Sequence, residues 1–115
     1  MIKRSDEMKN TVKVNMRGGD GQAVVTDLLD KGEYFGKARL VATITLEPGS
    51  SIGEHVHEAE EEIFYVIKGT AQYLDNGSWV TLNTGDSCIC TDGQSHSLAN
   101  RGDETLVVLA LILTY

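Results

Sequence analysis

The chain has 115 residues, 41% hydrophobic and 23% charged, with a net charge of -7. That is enough for one domain with its own core, and the balance is wrong for a disordered chain. The negative charge argues against nucleic acid as a partner, because a phosphate backbone calls for a basic face.

Lys3, Arg4, Lys9, Lys13 and Arg17 are half of the ten Lys and Arg residues. This clustering reads as a solvated N-terminal arm with its loop, residues 1–21, ahead of a barrel domain at 22–115. "SDEMKN" can form one helical turn, and "RGGDG" at 17–21 reads as a loop. The start of the chain lacks the apolar core of a secretory signal. The longest apolar run, Leu106 to Leu113, is far short of the roughly 20 residues that span a bilayer. The expectation is a soluble, cytoplasmic protein with no membrane partner, whose two cysteines, Cys88 and Cys90, stay reduced.

Strand signals follow at 22–28, 37–46, 62–68, 70–75, 78–82, 87–91 and 104–114. Asn76-Gly77 between two of them is a hairpin signal, since a type I′ turn needs positive φ at both positions. "EPGSS" at 47–51 and "NTGD" at 83–86 are further turns. "EAEEE" at 58–62 has helix propensity but runs straight into Ile63-Phe64-Tyr65-Val66-Ile67. We read 58–61 as a turn, with Glu58 and Glu60 solvated, and 62–68 as a strand. Short strands punctuated by turns predict an all-β sandwich or barrel. "LVVLALIL" near the C-terminus is apolar on both faces, so both faces must be covered. One can meet the barrel interior and the other a second subunit, which predicts a homodimer.

Three histidines stand out. His55 and His57 are two apart, so on a strand both imidazoles share a face. His96 follows 39 positions on. Spacing alone favours exposed or core histidines over a metal site. Three imidazoles and a carboxylate would suit a divalent transition metal such as Mn, Fe, Ni or Zn.

Two longer patterns sharpen this. Gly49, five residues, His55-Val56-His57, four residues, Glu62, six residues, Gly69 is one. Gly85, five residues, Thr91-Asp92-Gly93, two residues, His96, three residues, Asn100 is the other. Together they resemble the two motifs of the cupin superfamily, with Thr91 where the family has proline. The closest flavour is a small single-domain cupin, distantly similar to one half of the bicupin oxalate decarboxylases. The resemblance implies a double-stranded β-helix, a jelly-roll cupin barrel. It places one metal ion on His55, His57, Glu62 and His96, with Glu61 as the reserve carboxylate and Asn100 in a structural or supporting role. Those decarboxylases carry an arginine three residues before the first metal histidine, where this chain has Ile52. Arg39 can stand in only if it points inward, and no acid on a lid loop is identifiable.

The implied function is a metal-dependent enzyme of dioxygenase, decarboxylase or isomerase type acting on a small polar or anionic molecule. The alternative is a module that holds a metal or small ligand without turnover. Substrate-binding candidates are Arg39, Ile52, Phe64, Tyr65 and Leu98. Tyr65 and Tyr73 are acid–base or orienting candidates if they face in.

Overall fold

The computed structural model describes residues 1–115. Ten strands follow in order: β1 (Lys9–Val14), β2 (Gln22–Leu29), β3 (Ala38–Leu46), β4 (Ser51–Val56), β5 (Glu60–Lys68), β6 (Ala71–Asp75), β7 (Ser78–Leu82), β8 (Ser87–Cys90), β9 (Ser95–Ala99) and β10 (Leu106–Thr114). They form two antiparallel sheets, ordered β1-β2-β3-β10-β5-β8 and β4-β9-β6-β7. This is the jelly-roll architecture that the motifs imply. Two 3-10 turns, Ser5–Glu7 and Met16–Gly18, are the remaining regular elements.

Seven strands lie where the sequence predicts them, within a residue or two at each end. β1, β4 and β9 were not among them. β1 falls within the 1–21 stretch and pairs along its whole length with β2, from Lys9 opposite Asp27 to Val14 opposite Gln22. The hairpin of β6 and β7 turns on Asn76 (φ 46°) and Gly77 (φ 91°), the left-handed pair that Asn-Gly favours.

The core lies between the sheets. Ala23, Ala42, Ile44, Leu46, Phe64 and Val66 from the large sheet meet Ile52, Ala71, Tyr73 and Leu98 from the small one. β10 is central in the large sheet, flanked by β3 and β5. Its inner residues, Leu106, Val108, Ala110 and Ile112, are buried, while the alternate Val107, Leu109, Leu111 and Leu113 are half-buried on the outer face.

Two irregularities position the site. In β4, Ile52 opposes Leu98 and His55 opposes His96, so one extra residue is accommodated at Gly53–Glu54. That bulge puts Ile52 and His55, three apart, on the same inner face. In β3, Leu40 opposes Ile112 and Ala38 opposes Leu113, which leaves Arg39 as the extra residue. Without the bulge Arg39 would alternate outward; with it, Arg39 turns to the cavity beside Leu40.

Candidate metal centre

The fold brings His55, His57, Glu62 and His96 together, with one ligating atom from each lying within 4.8 Å of the others. His55 comes from β4, His57 from just past its end, Glu62 from β5 and His96 from β9, where it faces His55 across the ladder. His57 Nε2 is 3.1 Å from Glu62 Oε1 and 3.0 Å from His96 Nε2. His96 Nε2 is 3.1 Å from His55 Nε2 and 3.2 Å from Glu62 Oε1. His57, Glu62 and His96 are buried and His55 is half-buried.

The second nitrogen of each ring sets what the cluster can do. His55 Nδ1 donates to the Gly53 carbonyl at 2.8 Å, so its Nε2 carries a lone pair. His57 Nδ1 donates to Glu60 Oε2 at 2.6 Å, with the same consequence. His96 Nδ1 is 2.9 Å from the Tyr73 hydroxyl, which can accept its proton. Phe64 stacks on the His96 ring with centroids 5.2 Å apart and planes within 6°. Lone pairs and an ionised carboxylate thus converge on one point, a donor set that repels itself unless a proton or a cation lies between. An ion bound at about 2.1 Å in octahedral geometry separates neighbouring donors by about 3.0 Å, close to the four short separations seen here. The residues therefore fit a divalent metal, and the neutral imidazole–carboxylate set suits Mn, Fe, Ni and Zn alike.

The electrostatics agree. Burial pushes the Glu62 carboxyl up, but the His57 and His96 rings, which donate to it once a proton sits on Nε2, outweigh burial and hold the group below the ordinary value. The hydrogen bond to Glu62 raises His57 against the effect of burial. Burial lowers His55, opposed by the Gly53 carbonyl. Burial likewise raises Tyr73 and takes the Cys88 thiol to about 11, so neither ionises near neutrality.

A cavity of about 170 Å³ opens onto His55, His57 and Glu62. Of the substrate-binding candidates, Arg39 and Ile52 line it. Phe64 and Leu98 lie in the core. Tyr65, 43% exposed, belongs to the outer face of β5, and Tyr73 faces in as the partner of His96. Glu61 alternates to the face of β5 opposite Glu62 and is not among the four donors.

Glu60 corrects the sequence reading. β5 begins at Glu60, not Glu62, so Glu60 shares the inner face with Glu62. It takes His57 Nδ1 on one oxygen and the Arg39 guanidinium on both, each at 2.7 Å. The Arg39 hydrogen bonds hold its carboxyl well below the ordinary range, at about 2. Lys13, Met16 and Arg17 also line the cavity and had no place in the site read from sequence. Asn100 is structural: its Nδ2 donates to the carbonyls of Leu46 and Glu104 at 2.8 and 2.7 Å.

The Cupin_2 family, described as a cupin domain, matches residues 42–112, which include all four donors. The chain belongs to the Cupin_2 family. This cupin is similar to the oxalate-binding protein of Thermotoga maritima, 43% identical over 113 residues, covering 98% of this chain and 93% of that one. It is also similar to the tetracenomycin polyketide synthase protein TcmJ of Streptomyces glaucescens, 28% identical over 96 residues, covering 84% of this chain and 62% of that one. Among solved structures, that of a "predicted oxalate decarboxylase" from Thermotoga maritima superimposes with a TM-score of 0.94 at 43% identity, covering 100% of both chains. No helix of this cupin is long and apolar enough to cross a membrane.

Proposed function

We propose that this cupin binds one divalent transition metal (Mn, Fe, Ni or Zn) through His55, His57, Glu62 and His96 and, on that ion, a small anionic molecule. The observation that carries the reading is the convergence of three imidazole nitrogens and a carboxylate oxygen, all within 4.8 Å of one another, beside a cavity. The name of the Thermotoga relative makes oxalate the first ligand to try. When bound, the metal supplies Lewis acidity, or an O₂-activating centre if it is iron or manganese.

Two readings of the outcome remain distinct. In the enzyme reading the anion is turned over by decarboxylase, dioxygenase or isomerase chemistry. In the binding reading the barrel holds the ligand without turnover. One observation favours the second: the titratable residues lining the cavity are the cations Lys13, Arg17 and Arg39 and the donors His55, His57 and Glu62, so no carboxylate or imidazole outside the donor set faces a substrate.

Purified protein is expected to hold about one transition metal ion per chain by elemental analysis. His57→Ala with His96→Ala should abolish it. Wild-type protein that takes up no metal on reconstitution would refute the site. Oxalate titrated into the metal-loaded protein, with product analysis in and out of O₂, separates turnover from holding.

A homodimer in the cytoplasm completes the proposal. The outer face of the large sheet presents Leu109, Leu111, Ile63, Tyr65 and Ile89 in adjacent registers, an apolar stripe suited to a second copy. Cys88 and Cys90 are free thiols, as a reducing compartment would keep them.

A further inference from the structure

One wall of the cavity is supplied by neither metal motif. It comes from the N-terminal segment, as Lys13, Met16 and Arg17. Lys13 pairs with Ala23, which is fully buried, so it stands on the inner face of β1. Its neighbours Val12 and Val14 point outward and are 54% and 67% exposed. Val12 and Val14 thus lie on the outer face and Lys13 on the cavity side, where both Lys13 and Arg17 are exposed and stand at the cavity mouth.

Arg17 is held as deliberately. It is left-handed (φ 55°, ψ 29°), two residues after a left-handed Asn15 (φ 50°). A non-glycine residue keeps that conformation only where its surroundings over-determine it. Here Asn15 N donates to Gly21 O, Asn15 Nδ2 to Gly19 O, Gly18 N to Asn15 O and Gly19 N to Met16 O, at 2.9 to 3.0 Å. The Arg17 carbonyl also lies against Gly53 so closely that a Cβ there would sit 2.1 Å from it. The segment is thus fastened to β4, the strand that carries His55.

Both cations are uncommitted. Lys3 pairs with Asp30 and Glu33, and Arg39 with Glu60, but neither Lys13 nor Arg17 takes part in an ion pair. In a chain of net charge -7, two unpaired cations beside apolar walls such as Ile52, Leu40 and Ile112 make a local positive field.

We propose that Lys13 and Arg17 are the specificity-determining residues of this cavity, and that they select a small dianion such as a short dicarboxylate, one end at the donor cluster and the other beneath the two cations. This rests on the metal-and-anion reading above, but assigns selection to residues that hold no metal. Arg39 is the weaker contributor, because it would have to give up two 2.7 Å bonds to Glu60. The volume of about 170 Å³ sets the size, well under the roughly 300–1,000 Å³ of drug-sized pockets.

The test is calorimetric titration of metal-loaded protein with oxalate and with oxamide, its neutral isostere. Wild type is compared with Lys13→Gln, Arg17→Gly and the double variant. Glycine at 17 keeps the left-handed backbone without the side chain. The double variant should bind oxalate at least tenfold more weakly and with a flatter salt dependence. Metal content, melting temperature and any oxamide binding should stay unchanged, and Arg17→Lys should keep most of the affinity. Oxalate binding by the double variant within twofold of wild type, with the metal retained, overturns the proposal and leaves the metal-and-anion reading standing. Wild-type protein that binds metal but no small carboxylate sinks that reading and the proposal with it. An inward lysine on an edge strand can also serve only to block strand addition. Aggregation of the double variant with unchanged oxalate affinity in its soluble fraction would assign Lys13 that role and overturn the proposal as well.

Discussion

Glu60→Gln tests whether the cluster is supported from behind. Glutamine has the size of glutamate but no charge, and only one of its two terminal atoms accepts. Glu60 now receives three hydrogen bonds, from Arg39 Nε and Nη2 at 2.7 Å and from His57 Nδ1 at 2.6 Å. The amide nitrogen introduced by the substitution would have to face either the guanidinium or the imidazole, donor against donor. A hydrogen bond to a charged group is worth about 1.5–3 kcal/mol. The Arg39 side chain is 41% exposed, so its share is cut toward the roughly 0–1 kcal/mol of surface pairs. The His57 side is buried and keeps its value. Loss of such a partner behind a ligating histidine typically weakens metal binding by about 10–100-fold, or about 1.4–2.7 kcal/mol. A competition titration against a chromophoric chelator would read this, with Glu61→Gln, on the outer face, as the control. The pH profile gives a second readout. Glu60 is depressed from 4.5 to about 2 in the folded protein, so its contribution to stability is present above pH 4.5 and is lost as pH falls from there through about 2. That acid-side loss should shrink in the variant. Metal affinity within twofold of wild type, together with an unchanged acid limb, would refute the reasoning.

Gly53→Ala should unseat the N-terminal segment. The added Cβ would lie 2.1 Å from Arg17 O and 2.8 Å from Arg17 C, both backbone atoms, so a loss of about 1–3 kcal/mol is expected in urea melts. Gly36→Ala, with open space around it, should be close to neutral. Metal affinity should fall with acidification, because a proton on any Nε2 excludes the ion. Glu62 raises His57 above 6.5, so the fall begins above that value, whereas His55, lowered by burial, adds to it only below 6.5. An affinity that is flat down to pH 5 in a chelator competition would count against histidine ligation. Leu111→Arg, at the centre of the outer apolar stripe, should abolish the proposed dimer by light scattering, and wild-type protein that runs as a monomer removes the dimer from the proposal.

What was legible in the sequence was the part carried by the two motifs that resemble those of the cupins. His55, His57, Glu62 and His96 stand at set distances from glycines whose backbones turn left-handed, such as Gly69, where a side chain would also meet Thr105 O at 2.6 Å. What was not legible came from bulges and inverted polarity. β4 slips phase at Gly53–Glu54, so no simple alternation runs through it. β9 reads as polar because it carries His96 and two serines, although four of its five residues are buried. β5 starts early because the chain turns at Ala59, left-handed at φ 58° without a glycine to announce it, and that hid the Glu60–Glu62 pair inside an apparent acidic turn. Arg39 faces the cavity only because of a bulge that the sequence does not mark.

β1 carries the same lesson into function. Its alternation is regular, but the two lysines, Lys9 and Lys13, belong to the inner set and the valines to the outer. Composition reads residues 1–21 as a solvated arm, and Arg4, Lys9, Lys13 and Arg17 are indeed exposed, but residues 9–14 are also paired as a strand. A lysine turned inward on an edge strand is instead one of the ways sheets protect their edges, and here that inner face borders a coordination cluster. The donors and the cations therefore come from separate parts of the chain, the first from the two spaced motifs and the second from residues 13–17. Metal affinity and anion selectivity should for that reason be separable by mutation. Changing Lys13 and Arg17 should therefore alter anion affinity while metal content stays as in wild type.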